Sequence, residues 1–83
     1  MAGNVISLGG AIVPEEAQAN ATLVEELERL LEAAKAGEII GMAGSYVHKG
    51  RAASYSYAGN VGGFAIIGGL ECAKEHLVRL ALL

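Results

Sequence analysis

Apolar and charged residues alternate with helical spacing over the first well-patterned stretch of the chain. Apolar side chains recur at steps of three and four from Leu23 to Ala34, and acidic and basic residues fill the positions between them. This spacing predicts an amphipathic helix with a single apolar face. Thr22 and Glu25 match a capping box at its start, and Gly37 is the kind of residue that ends a helix.

A second stretch with helical spacing lies at the end of the chain. It predicts a helix that begins at residues 62–63 and runs towards Leu82, with Asn60 as its N-cap. Gly68 and Gly69 fall in its middle, where each glycine costs about 1 kcal/mol relative to alanine. We expect this cost to be offset by close backbone contact, either with the protein's own sheet or with a second subunit.

Between the helices the apolar period changes to two, which predicts β-strands. Residues 39–48 and 51–58 are expected to form two strands joined by a two-residue loop at 49–50, whose glycine suits a hairpin turn. His48 would then lie opposite Arg51.

This register assigns the side chains of the hairpin to two different faces. Tyr46, Tyr55 and Tyr57, the only tyrosines of the chain, fall on one face with His48 and Arg51. Small residues fill the other face, which would let helices pack closely against it. A shift of one residue would exchange the faces, so the assignment depends on the turn.

The N-terminal residues 1–20 are expected to form an extended arm, with a short strand around Val5, or alternatively a disordered tail. The expected organisation is therefore an arm followed by one α+β domain over residues 21–83, in the order helix, two-stranded antiparallel hairpin, helix. Two strands alone are marginal in water. We therefore expect hairpins of neighbouring subunits to join or stack.

Composition also favours a homo-oligomer. The chain has 83 residues, of which 53% are hydrophobic, with Cys72 as its only cysteine, and its mean hydropathy is +0.42. So short a chain builds a thin core, and no disulfide framework can support it. Burial between subunits is the remaining source of stability. A single free cysteine is typical of a reducing, cytoplasmic setting.

Charge and hydropathy exclude two classes of partner. The formal net charge is −3, whereas binding to a nucleic-acid polymer needs many phosphate contacts from lysine and arginine. The longest apolar run, residues 61–70, is short and rich in glycine. We therefore expect no polymer partner and no membrane span.

The tyrosine-rich hairpin and the glycine cluster after it form the candidate binding site. Tyrosine rings stack on bases, neighbouring cations suit phosphates, and unpaired amides at a helix start bind anions. Alternatively, the tyrosines form a subunit interface and the glycines only a tight turn. The expected ligand-binding residues are Tyr46, His48, Lys49, Arg51, Tyr55, Tyr57, Asn60, Gly62 and Gly63.

The sequence gives little reason to expect catalysis, a cofactor or a metal ion. The hairpin serines, including Ser54, are expected to face the helices, away from any histidine–carboxylate relay. His48 has no histidine or cysteine at metal-ligand spacing, and His76 has only Cys72 nearby. We therefore expect a binding protein rather than an enzyme, with no cofactor.

Several segments together resemble a family of small, mostly uncharacterised proteins of bacteriophages and prophages. They are the start "NVISL", the helix and strand "LVEELERLLEAAKAGEIIGMA", the hairpin with its glycine turn, and the closing "AIIGGLECAKEHLVRLAL". Small phage proteins with oligomeric folds include sponge proteins, which capture nucleotide signals of bacterial immunity. The resemblance implies that such a role, in the cytoplasm of a host bacterium, is plausible.

Two functional hypotheses follow. In the first, the protein is a phage-derived, non-enzymatic oligomer that sequesters a small anionic, nucleotide-like signal and so blocks antiviral defence. In the second, it is an oligomeric interaction module that inhibits or adapts a host or phage protein, for example a host defence protein. Either the tyrosine face or the N-terminal arm would then dock on the partner, the arm by adding a strand to an exposed sheet edge.

Overall fold

The computed structural model describes residues 4–7 and 18–83. Two helices and three strands make up the described chain. The α+β class and the predicted order of helix, antiparallel hairpin and helix are confirmed. The rest of the predicted arm, residues 1–3 and 8–17, lies outside the described residues. The elements are β1 (Asn4–Ser7), α1 (Ala21–Lys35), β2 (Gly41–Val47), β3 (Ala53–Gly59) and α2 (Phe64–Ala81).

The three strands form one antiparallel sheet in the order β1-β3-β2. The expected short strand of the arm is therefore present, and it extends the sheet of its own chain. Its residues Val5 and Ile6 lie opposite Ser56 and Tyr55. As a result β3 is the central strand, and β2 is an outer strand.

The hairpin loop is longer than predicted. The amide of Arg51 donates a hydrogen bond of 2.8 Å to the carbonyl of His48. The amide of His48 in turn donates one of 2.8 Å to the carbonyl of Ala52. Arg51 has a φ of 69°. These features define a three-residue loop that ends in a left-handed residue, a common hairpin type. The predicted two-residue loop and the pairing of His48 with Arg51 are wrong, because Arg51 belongs to the turn.

The extra loop residue shifts the strand register by one and separates the tyrosines. Tyr46 lies opposite Ser54, whereas Ser45 lies opposite Tyr55. Because side chains alternate across a strand, Tyr46 projects from one face of the sheet, and Tyr55 and Tyr57 project from the other. The prediction that one face carries all three rings is therefore wrong.

Both ends of α1 have defined caps. The side chain of Asn20 accepts a hydrogen bond of 3.0 Å from an amide in the first turn, so Asn20 is the N-cap and the capping box predicted at Thr22 is wrong. At the other end, Gly37 has a φ of 78°. The amide of Glu38 donates to the carbonyl of Ala33 at 2.9 Å, which completes the expected glycine-terminated cap.

The start of α2 differs from the prediction. Its N-cap is Gly63, with a φ of 97° and no side-chain hydrogen bond. Asn60 is therefore not the cap; its amide donates to the carbonyl of Ile40 at 2.9 Å and so continues the hairpin. A Cβ added at Gly68 or Gly69 would meet no atom within 4 Å. The protein's own sheet therefore does not account for these glycines.

The chain buries little of its apolar surface. Among the described residues only Ala52 and Ser54 are buried, and the accessible surface of the chain is 7029 Å². Large apolar side chains are exposed on both helices and on β2, among them Leu23, Leu27, Leu31, Met42, Val47, Ile67, Leu77 and Leu80.

Candidate ligand-binding groove

A groove of about 380 Å³ lies between the sheet and the first half of α2. The rings of Tyr55 and Tyr57 line the sheet side, and Ile66 and Leu70 line it from successive turns of α2. Val61, in the loop that leads into α2, also lines the groove. The complete lining is Ala43, Gly44, Ser45, Tyr55, Ser56, Tyr57, Val61, Ile66 and Leu70.

The alternation of side chains along the strands explains why a groove forms here. On this face small residues of β2 lie opposite large residues of β3, since Ala43 pairs with Tyr57 and Ser45 with Tyr55. The difference in size leaves space beneath α2. Tyr55 is 38% exposed and Tyr57 is 39% exposed. They are therefore accessible to a ligand.

The polar groups that line the groove are few. The hydroxyl of Ser45 donates to the carbonyl of Ser54 at 3.0 Å and is therefore already engaged. Each tyrosine hydroxyl can donate and accept a hydrogen bond. The first amides of α2 have no side-chain cap, and such amides attract negative charge. The groove thus combines flat apolar surfaces with a few donors, as small-molecule sites do.

The predicted binding residues are distributed over separate parts of the chain. The glycine turn, residues 59–63, lies at one end of the β2–β3 ribbon because Asn60 pairs with Ile40. The hairpin tip, residues 48–51, lies at the other end, and β3 between them spans roughly 20 Å. One chain therefore brings Tyr55 and Tyr57 together. It leaves Tyr46 on the opposite face, and His48, Lys49 and Arg51 at the distant tip.

The opposite face contains a serine–histidine pair. The hydroxyl of Ser54 and Nε2 of His48 lie 2.8 Å apart and share a hydrogen bond. This contact was missed because the predicted register placed these residues on opposite faces. Ser54 is only 1% exposed, which is too buried for a nucleophile that must reach a substrate. The pair instead ties the end of β2 to β3.

Replacing His48 with alanine is expected to destabilise the hairpin. The buried hydroxyl of Ser54 would lose its partner, which costs about 1–3 kcal/mol. Urea denaturation followed by circular dichroism measures the change. His76→Ala is the matched control, because His76 is exposed on α2. Equal midpoints for the two variants would show that the pair contributes nothing to stability.

A second groove, of about 340 Å³, lies between α1 and the start of β2. Leu27 and Leu31 line its helical side, while Ile40 and Met42 line the side of the sheet. Its lining residues are glycines or have apolar side chains, so the groove lacks the polar groups that orient a small anionic ligand. It is a packing surface. Its lining is Leu27, Leu30, Leu31, Ala34, Ile39, Ile40, Gly41, Met42, Ala58 and Gly59.

Charged side chains of the helices pair on their outer surfaces. Arg29 contacts Glu26 at 2.7 Å, and the hydrogen bond from its guanidinium lowers the pKa of the Glu26 carboxyl. Within residues 4–7 and 18–83, no three histidine, cysteine or acidic side chains converge as metal ligands would. Over the same residues, neither helix has the length and hydropathy needed to cross a membrane.

No protein-family model, curated protein or solved structure matches the chain. The function must therefore be inferred from the geometry of the groove and from the exposed surfaces.

Proposed function

We propose that the protein is a non-enzymatic, oligomeric binding protein that sequesters a small nucleotide-type ligand in the groove beneath α2. The observation that carries this proposal is the arrangement of Tyr55 and Tyr57 along one side of a 380 Å³ groove. Aromatic side chains stack on any base. A groove of this volume falls within the usual range for small ligands.

The end of the groove near Val61 suits the phosphate portion of such a ligand. Val61 directly precedes Gly62 and Gly63, and α2 begins at the next residue. A long helix carries a partial positive charge at its N-terminus. A base held at the tyrosines and a phosphate held at the glycine turn would use both features in one molecule.

The resemblance to small bacteriophage proteins makes nucleotide signals of antiviral defence the first ligands to test. Capturing such a signal requires tight binding without turnover, in the cytoplasm of the host. Ser54, which lies beside His48, is too buried to act as a nucleophile. In this proposal the protein lowers the free concentration of the signal and so protects the phage.

Titration calorimetry against cyclic dinucleotides, cyclic trinucleotides and ADP-ribose derivatives tests the proposal. At least one compound is expected to bind, and Tyr55→Leu is expected to weaken it. Loss of base stacking costs about 1–3 kcal/mol, roughly a 5- to 150-fold change in dissociation constant. His76→Leu is the control, because His76 is an exposed ring on α2 that does not line the groove. Flat traces for every compound would overturn the proposal.

A second candidate is an interaction module that inhibits or adapts a host or phage protein. The observation in its favour is the number of large apolar side chains that α1 and α2 expose, because large exposed apolar patches mark interaction sites. A purified partner retained by the wild type and by Tyr55→Leu alike would favour this candidate over the nucleotide ligand.

A further inference from the structure

Among the residues that the structure describes, no strand pairs with the outer edge of β2. Asn60 bonds to Ile40 and His48 bonds to Ala52, so the even-numbered residues of β2 direct their backbone groups towards β3. Antiparallel strands alternate in this respect. The amides and carbonyls at positions 41, 43, 45 and 47 therefore point away from β3, along the open edge of the sheet.

This edge lacks the protection that natural sheets give to their outer strands. Exposed edges are normally blunted by charged residues, proline or bulges. β2 has the sequence GMAGSYV, with no charge and no proline over its seven residues, and it pairs with β3 residue by residue. A straight, uncharged edge of this length is a template for another strand.

We infer that the open edge of β2 pairs antiparallel with β2 of a second copy, about a two-fold axis at Gly44. In this register position 41 faces 47 and position 43 faces 45, so every outward backbone group of the strand is paired. The result is a continuous six-stranded sheet. A specific dimer buries about 800 Å² on each partner, and exposed apolar side chains such as Met42, Val47 and Leu31 offer apolar surface for it.

The pairing would complete the candidate site, and this step rests on the proposed function. It places His48 of one copy opposite Ile40 of the other, and Ile40 pairs with Asn60 in its own chain. The hairpin tip of one copy would thus lie about two strand spacings, roughly 10 Å, from the glycine turn of the other. Lys49 and Arg51 could then reach a phosphate at that turn.

The glycines of α2 fit the same arrangement. α2 is the helix that packs on β2, so joining two β2 strands brings two copies of α2 together. Strands are about 4.8 Å apart, whereas helix axes usually lie 8–10 Å apart. Two helices that lie above neighbouring strands can therefore pack only if small residues stand where they touch or if their axes cross at a steep angle. Gly68 and Gly69 leave open space on α2.

Amide hydrogen exchange measured by NMR tests the edge pairing without mutation. In a lone chain the amides at 42, 44 and 46 would be protected, while those at 43, 45 and 47 would exchange freely. In the inferred dimer, the odd-numbered amides exchange roughly a hundredfold more slowly. Fast exchange at 43 and 45 in the intact protein, whatever its oligomeric state, would overturn the inference.

Ala43→Pro provides the complementary test by mass. Proline is tolerated on an edge strand where the missing N–H faced solvent, so the lone chain should still fold. Native mass spectrometry is expected to show a dimer for the wild type and for the control Leu83→Lys, which alters an exposed terminal residue. Ala43→Pro is expected to be monomeric. If the circular dichroism spectrum shows that Ala43→Pro is unfolded, the hydrogen-exchange measurement on the wild type decides whether the edge of β2 is paired.

Mixing two defective chains tests whether the site is shared. Tyr55→Leu damages the groove and Arg51→Gly damages the tip, with glycine suited to the positive φ at position 51. A heterodimer should regain one intact site of two, whereas each homodimer should bind weakly. Lack of rescue in a confirmed heterodimer would refute the shared site. Absence of wild-type binding would refute the proposed function and leave the exchange result standing.

Discussion

Gly41→Ala is expected to unfold the protein or nearly so. A Cβ at position 41 would overlap the backbone carbonyl of Asn60, and backbone atoms cannot move aside as a flexible side chain can. Gly59 is constrained at the same place, with a φ of 80° and the carbonyl of Ile40 in the position that a Cβ would occupy. Displacing this junction should lower the free energy of unfolding by about 3–5 kcal/mol, a large part of the usual total.

Gly44→Ala is the control for this prediction. It lies in the same strand, but a Cβ there would meet no atom within 4 Å, so the variant should be as stable as the wild type or slightly more stable. Thermal unfolding followed by circular dichroism compares the two variants. A melting temperature for Gly41→Ala within a few degrees of that for Gly44→Ala would contradict the close packing at Asn60.

The contact between Gly41 and Asn60 also matters for the candidate site. It holds the glycine turn against the start of β2, and the turn leads directly into α2 at Phe64. The direction in which α2 leaves the sheet therefore depends on this junction. Since Ile66 and Leu70 line the groove from α2, a change at Gly41 is expected to alter the groove as well as the stability.

Local patterns predicted the helices and the hairpin, because their information lies within a few residues. The apolar spacing from Leu23 to Ala34 is enough for an amphipathic helix. Gly37 ends α1 with a φ of 78°, as expected of a glycine in that position. The sequence pattern places the N-cap at Thr22 and the structure places it at Asn20, because both residue types cap helices well.

The turn could not be predicted from residue type alone. Gly50 invites a two-residue loop, yet it is Arg51 that adopts the positive φ. Non-glycine residues adopt such angles infrequently, so the longer loop was the less expected choice. Its consequence is large, because one extra residue moves Tyr46 to the opposite face from Tyr55 and divides the predicted site.

The pairing of β1 with β3 and the groove depend on contacts distant in sequence. Ile6 lies opposite Tyr55, and no short-range pattern specifies that choice of partner. Val61 and Leu70 reach the groove only because α2 folds back over β2. Leu70 lies within the predicted second helix and Val61 just before it, and neither position indicates that the residue also lines a cavity.

Leu27→Gln combined with Leu31→Gln is expected to weaken the dimer strongly and to leave the lone chain folded. Leu27 is 51% exposed and Leu31 is 53% exposed, and glutamine has nearly the same helix propensity as leucine. The substitutions therefore lower the stability of the isolated chain little. In the inferred dimer, Tyr46 of the second copy lies opposite Met42 and therefore beside the groove of α1. Burying the exposed halves of four leucines there, two from each copy, contributes about 3–6 kcal/mol.

Sedimentation equilibrium is expected to show a dissociation constant raised by roughly 150-fold or more for this double variant. Glu25→Gln combined with Glu28→Gln is the matched control, because it makes the same kind of change on the charged face of α1. A control that weakens the dimer equally would point to net charge or helix content as the cause. Unchanged dissociation in the leucine variant would mean that the apolar face of α1 contacts something other than a second copy of the chain.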